Sequence, residues 1–168
     1  MVCKKNFGAK KMIYMHQALK NAKKAFKINE IPVGCVIVCE DKIISQGYNQ
    51  RNKKNNVLYH AEIIAINKAC KKLNDWRLEN CILYSTLEPC AMCAGAILQA
   101  RIKKIIFGCY NHKFGCAGSV INLFEQEKFN HKVGIISGLM QNECESVLKK
   151  FFKALRETKK IEQKEILS

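Results

Sequence analysis

The 168-residue sequence has no apolar run near the ~18 residues that span a bilayer, and its longest, Ile31 to Cys39, falls well short. The start, Met1-Val2-Cys3-Lys4-Lys5, carries no apolar signal core. These absences weigh against spanning or exported chains and make a cytoplasmic protein the expectation. Acidic residues are scarce, 14 against 29 Lys and Arg, which leaves a net charge of +15. Arginine is scarce too: Arg51, Arg77, Arg101 and Arg156 are the only four, so lysine carries the excess. Clustered cations attract phosphates through counterion release, so the balance favours an anionic partner such as nucleic acid. An AT-rich genome, which enriches Lys and Asn, gives a purely compositional account of the same excess. No repeat or low-complexity linker divides the chain.

What is present suffices for one domain. Apolar residues make up 48%, and at this length folding hides about 70% of the surface of the unfolded chain. Disordered and fibrous classes are excluded. A single domain over residues 1–168 is expected, with its core at about 12–156 and a Lys-, Glu- and Gln-rich tail, 157–168, that frays. Ten cysteines make up about 6% of the chain, below the ~8% of short disulfide scaffolds. With no export signal beside them, they read as metal ligands or buried thiols.

Apolar residues at Met12, Met15, Leu19, Ala22 and Phe26 recur in steps of three and four, which predicts an amphipathic helix. Ile31 to Cys39 and Ile43 to Tyr48, parted by Glu40-Asp41-Lys42, predict a hairpin. A basic loop from Arg51 to Asn56 leads to a helix over His60 to Leu73 and a strand over Cys81 to Thr86. Pro89 suits a helix entrance, where its missing N–H would be unpaired anyway, and Ala91 to Ala100 form that helix. A strand at Ile102 to Cys109, a glycine-bearing loop at Asn111 to Ser119, a strand at Lys132 to Ser137 and a helix from Asn142 to about Arg156 follow. A hairpin followed by alternating strands and helices predicts a three-layer α/β sheet, part antiparallel and part parallel.

Two short motifs carry chemistry: His60-Ala61-Glu62 and Pro89-Cys90-Ala91-Met92-Cys93. Each alone is unspecific. A His-x-Glu triplet is common by chance, and a Cys-x-x-Cys fits a redox pair, half a structural zinc site or two buried thiols. Both motifs, however, stand at predicted helix starts, from which one imidazole and two thiols can converge. Cysteines three apart share a helix face, and the open N–H groups and dipole of a helix start favour the thiolates that ligation needs. Two thiolates and one imidazole are the three protein ligands that a catalytic zinc keeps, with the fourth tetrahedral position left for water. Cys109 and Cys116 are the rivals for that position, and either would make the site structural. The other cysteines read as core. Glu62, two residues past a ligand, is placed as a general base. A carboxylate that merely favours the helix dipole is the bland alternative.

With these motifs the sequence resembles the zinc cytidine/deoxycytidylate deaminase superfamily, whose signature joins His-x-Glu to Pro-Cys-x-x-Cys. Within it, the bacterial tRNA-specific adenosine deaminases are most similar. Further stretches carry the likeness: Ile31-Pro32-Val33-Gly34, Gly47-Tyr48-Asn49, Thr86-Leu87-Glu88, Ala94-Gly95-Ala96, Arg101-Ile102, Phe107-Gly108 and Gly115-Cys116-Ala117-Gly118-Ser119. The likeness runs from about Met12 to Arg156. It implies a cytidine-deaminase-like α/β/α fold with a five-stranded mixed sheet, a homodimer and one zinc ion per chain. The implied reaction is hydrolysis of the wobble adenosine of a tRNA anticodon, typically of an arginine tRNA, to inosine and ammonia.

The resemblance assigns His60, Cys90 and Cys93 to zinc, Glu62 to proton transfer, Asn49 to the target nucleotide, and Pro32 and Val33 to the pocket wall. Phe151 and Phe152, with Lys149, Lys150, Lys153 and Arg156, match a C-terminal helix that borders RNA in the family. Lys113 and Lys53 are candidate phosphate contacts. Without the resemblance, Asn49 suits a turn, Pro32 an edge-strand start, and one of the two phenylalanines a core position. Two positions depart from the family. Asn111 stands where an aspartate is common, which removes a charged acceptor from the substrate-facing loop, and Asn56-Val57-Leu58-Tyr59 replaces a proline and small residues. Two other functions compete: deamination of a free base, nucleoside or nucleotide (cytosine, guanine or deoxycytidylate), and a zinc-stapled RNA-binding module without activity. Basic charge, Asn49 and the loop ending in Ser119 favour tRNA over the first, and Glu62 favours catalysis over the second.

Overall fold

The computed structural model describes residues 2–166. In chain order the elements are α1 (Val2–Lys27), β1 (Gly34–Cys39), β2 (Lys42–Tyr48), α2 (Ala61–Leu73), β3 (Cys81–Leu87), α3 (Ala91–Gln99), β4 (Lys104–Cys109), a 3-10 turn (Leu123–Glu125), β5 (Gly134–Ile136) and α4 (Gln141–Ile166). The five strands form one sheet in the order β2-β1-β3-β4-β5. β1 pairs antiparallel with β2 and β3, whereas β3 with β4 and β4 with β5 are parallel. The mixed α/β architecture expected from the sequence is the one observed.

Element bounds differ at the chain ends. α1 starts well before Met12, where Gly8 and the neighbouring lysines blur the apolar spacing. α4 continues past Arg156 to Ile166, because the Lys, Glu and Gln residues of this stretch are good helix formers. Of the tail expected to fray, residues 167–168 lie outside the described part. β5 is shorter than Lys132 to Ser137, and the 3-10 turn, capped by the Asn122 side chain, had no periodic signal.

Strand side chains alternate between the two faces. Cys35, Ile37, Leu83, Ile105 and Phe107 meet Ala61, Ala65, Ala69, Ala94 and Ile97 of α2 and α3. Val36, Val38, Tyr84 and Ile106 meet Met15, Ala18 and Leu19 of α1 and Cys144 of α4. This places two helices on each face. β2 and β3 end at the sheet edge where β1 begins, since Gly34 pairs with Tyr48 and Cys35 with Ser85. The helices that follow them, α2 and α3, lie on the same face, so their N-termini meet at that edge. Gly47 permits the close approach of α2, because a Cβ there would strike the Ala61 carbonyl oxygen.

Candidate active site

His60 is the N-cap of α2 and Cys90 the N-cap of α3. Both have extended backbones, with φ −75° and ψ 152° and 175°, and neither side chain caps its own helix. Freed from capping, the side chains turn toward each other: His60 Nδ1 is 3.7 Å from Cys90 Sγ and 3.5 Å from Cys93 Sγ. The three atoms lie within 4.8 Å of one another, the one group of metal-ligating character found among the described residues. The two rival cysteines are engaged elsewhere. Cys109 donates to the Thr86 carbonyl (3.3 Å) and Cys116 to that of Phe114 (3.4 Å).

Protons are unevenly shared in this group. A hydrogen bond from Cys93, aided by His60, outweighs burial and holds the Cys90 thiol at about 4. Cys93, which gives that bond and is buried, is pushed well up. His60 is raised, first by its bond with Cys90. One thiolate, one thiol and an imidazole are a donor set that a divalent cation would complete by displacing the remaining proton, and two sulfurs with one nitrogen suit zinc. The residues present fit the ion.

Glu62 lies in the first turn of α2, only 4% exposed, and burial raises its carboxyl above the ordinary range. A cleft of about 350 Å3 is lined by His60, Ala61, Glu62 and Cys90 together with apolar Ile31, Val33, Leu87 and Met92. Asn49, Glu88 and Asn111 add polar edges, and Arg51, Val57 and Phe114 complete the lining. Val57 and Phe114 are 64% and 69% exposed, which puts apolar surface at the mouth. A hollow of about 450 Å3 beside Tyr14 and Asp41 has none of the metal-ligating cluster.

Of the residues singled out from sequence, His60, Glu62, Cys90, Asn49, Val33 and Asn111 line this cleft, and Cys93 joins the metal cluster behind it. Pro32 is buried next to Val33 without lining it, and Lys113 and Lys53 are exposed outside the lining. Phe151 is buried edge-on against Phe26 at 5.5 Å, whereas Phe152 is 41% exposed. Neither lines the cleft, and of the two only Phe152 leaves much of its ring exposed.

Sequence reasoning assigned no role to Glu88, Arg51, Val57 or Phe114. Glu88 is 1% exposed and accepts from the backbone N–H groups of Asn111 (2.9 Å), Ala117 (2.9 Å) and Ser119 (3.0 Å), and from the Ser119 hydroxyl. Burial works to raise this carboxyl, but those donors prevail and hold it below its usual range. The loop from Asn111 to Ser119 thus hangs on one buried carboxylate. Asn111 turns its own Oδ1 back to the N–H of Phe114 (3.2 Å) and Lys113 (3.4 Å), which shapes the loop locally. The signal for Glu88 was its place beside Pro89-Cys90, and for Phe114 a bulky aromatic next to Gly115 in a polar loop.

Residues 9–109 match the model of the cytidine and deoxycytidylate deaminase zinc-binding region. The tRNA-specific adenosine deaminase of Bacillus subtilis (strain 168) is 44% identical over 154 residues, covering 92% of this chain and 96% of that one. The enzyme of the same description from Haemophilus influenzae is 45% identical over 150 residues, 89% of this chain and 87% of that one. A solved structure from work on A-to-I editing by tRNA:A34 deaminases at the wobble position superposes with a TM-score of 0.78 at 38% identity, over 80% of this chain and 98% of that one. A guanine deaminase from Nitrosomonas europaea shares the fold with a TM-score of 0.73 at 19% identity, over 83% of each chain. On the matched zinc-binding region and these identities, the chain belongs to the cytidine and deoxycytidylate deaminase zinc-binding family.

Proposed function

We propose that this chain deaminates the wobble adenosine of a tRNA anticodon to inosine by zinc-dependent hydrolysis, releasing ammonia. The observation that carries the reading is the meeting of His60, Cys90 and buried Glu62 at one cleft, with Cys93 grouped behind it with His60 and Cys90. The activity named for its 44% and 45% identical relatives supports it.

His60, Cys90 and Cys93 would hold the zinc ion, which when bound supplies the Lewis acidity that brings the pKa of a water to about 7. Glu62, its proton affinity raised by burial, takes a proton from the attacking water and passes it to N1 of adenine as the oxygen bonds to C6. The same carboxyl moves the second proton from that oxygen to N6. The C6–N6 bond then breaks, ammonia departs, and the oxygen remains as the carbonyl of inosine. Ile31, Val33 and Leu87 offer apolar walls for a purine taken out of its stack. Phe114 and Arg51 offer neighbouring nucleotides a ring face and a cation.

Exposed Phe152 with Lys149, Lys150, Lys153 and Arg156 on α4, and Lys113 and Lys53 in loops, serve as contacts to RNA bases and phosphates. Pro32 backs the pocket wall. One domain carries the whole function, with the single continuous sheet in support. A homodimer accords with exposed Val120 and Ile121, at 54% and 50%. A tRNA substrate accords with the cytoplasm, and no helix among the described residues is long and apolar enough to cross a membrane.

The test is incubation of the zinc-loaded protein with an arginine tRNA transcript, followed by digestion and mass spectrometry of the nucleosides. Inosine at the first anticodon position is expected. Conversion of free adenosine, guanine or deoxycytidylate with the tRNA untouched would assign the chain to small substrates. RNA binding without any conversion would leave only a binding module.

A further inference from the structure

The turn that closes α1 brings a buried carboxylate under the cleft. Glu30 returns its N–H to the Ala25 carbonyl (3.0 Å) after Asn29 adopts a left-handed φ of 57°, and its side chain is only 1% exposed. Both carboxylate oxygens accept hydrogen bonds. Oε2 takes Nδ2 of Asn49 (3.2 Å), and Oε1 takes the backbone N–H of Lys53 (2.6 Å). Asn49 is itself 6% exposed and fixed at its backbone by a bond from its N–H to the Val33 carbonyl (3.0 Å). Its side chain lines the cleft, and its Oδ1 is the one buried side-chain N or O without a hydrogen-bond partner among the described residues.

A carboxylate accepts and does not donate, so it dictates which end of a neighbouring amide faces it. With Glu30 in place, Nδ2 of Asn49 is turned inward and Oδ1 is the free end. A buried acceptor without a partner is costly, and native sequences keep one where something else satisfies it. The bond to Lys53 also ties down the loop that carries Arg51 and Val57 of the lining.

We propose that Glu30 is a positioning residue: it fixes the Asn49 amide so that Oδ1 is presented to the substrate as acceptor for a hydroxyl or amine hydrogen of the target nucleoside. This rests on the tRNA reading above and adds to it the residue that sets the polarity of the contact. Neither motif contains Glu30, and its role follows from two hydrogen bonds that the fold supplies.

The test compares wild type, Glu30→Gln, Asn49→Asp and the double variant in steady-state deamination of an anticodon stem-loop RNA, with zinc content and Tm measured on each. In Glu30→Gln, Oε1 of the introduced glutamine keeps the bond from Lys53 and its Nε2 faces Asn49, which accepts by turning Oδ1 inward, so the Asn49 amide presents Nδ2 where the substrate needs an acceptor. KM is expected to rise at least tenfold while kcat falls less than threefold and zinc content is unchanged. The double variant restores every bond with reversed polarity: Oε1 of the introduced glutamine accepts from Lys53, its Nε2 donates to one oxygen of the introduced aspartate, and the other carboxylate oxygen remains an acceptor. It is expected to recover KM to within about threefold of wild type. An RNA with 2′-deoxyadenosine at the target identifies the donor. If that donor is the 2′-hydroxyl, the deoxy substrate is penalised in wild type and no further in Glu30→Gln; if it is the purine amine, the penalties multiply. Wild-type editing with KM for Glu30→Gln within twofold overturns the inference alone. So does a lowered Tm in Glu30→Gln whose KM the double variant fails to recover, since Glu30 is then only structural. No wobble inosine from wild type overturns the functional reading, and the inference with it.

Discussion

Glu62 and Glu88 are both buried glutamates two residues from a metal-ligating side chain, and their surroundings give them opposite tasks. Burial raises Glu62, whereas four donors saturate Glu88. Replacing Glu62 with Gln removes the carboxyl proposed to carry the protons and little volume. Single-turnover kinetics are expected to show a loss of at least ~10²-fold, with zinc content by atomic absorption and stem-loop affinity nearly intact. Glu88→Gln instead points an amide at N–H groups that need an acceptor. It is expected to cost about 1–3 kcal/mol of stability, read from denaturant unfolding, with zinc retained. That His60, Glu62, Cys90 and Cys93 come together was legible in the sequence, because each motif is local and both stand at helix starts. Glu88 and Glu30 were not, because their donors come from 23 to 31 and from 19 to 23 residues away.

At the scale of elements, the site exists because two helices on one face start at the same edge of the sheet. The approach of α2 to β2 is the sensitive part. Gly47→Ala would drive a methyl group into the Ala61 carbonyl oxygen, displacing the helix start that carries His60. A loss of about 1–3 kcal/mol is expected, as for overpacking elsewhere, together with weaker zinc retention on dialysis. Gly95→Ala is the control. Nothing lies within 4 Å of a Cβ there, and alanine raises helix propensity by up to about 1 kcal/mol, so stability is expected to hold or rise. The sequence order of helices and strands was legible throughout, since apolar periodicity marks interiors of elements. Ends were less so: α4 outruns its apolar pattern, and the 3-10 turn over Leu123–Glu125 depends on a single Asn122 cap.

For the whole molecule, the net charge of +15 has a measurable consequence. Stem-loop affinity is expected to fall linearly in log–log form as salt rises, by at least about tenfold from ~50 to ~200 mM, whereas free adenosine would show almost no slope. A flat response for RNA would make the lysine excess compositional. In the proposed site, zinc sits on His60, Cys90 and Cys93 with one position left open. X-ray absorption at the zinc edge of the freshly purified protein measures this directly. One zinc per chain is expected, with two sulfur neighbours, one imidazole nitrogen and a single further light atom. A third sulfur, a second imidazole, or wobble editing by protein that holds no zinc would contradict it.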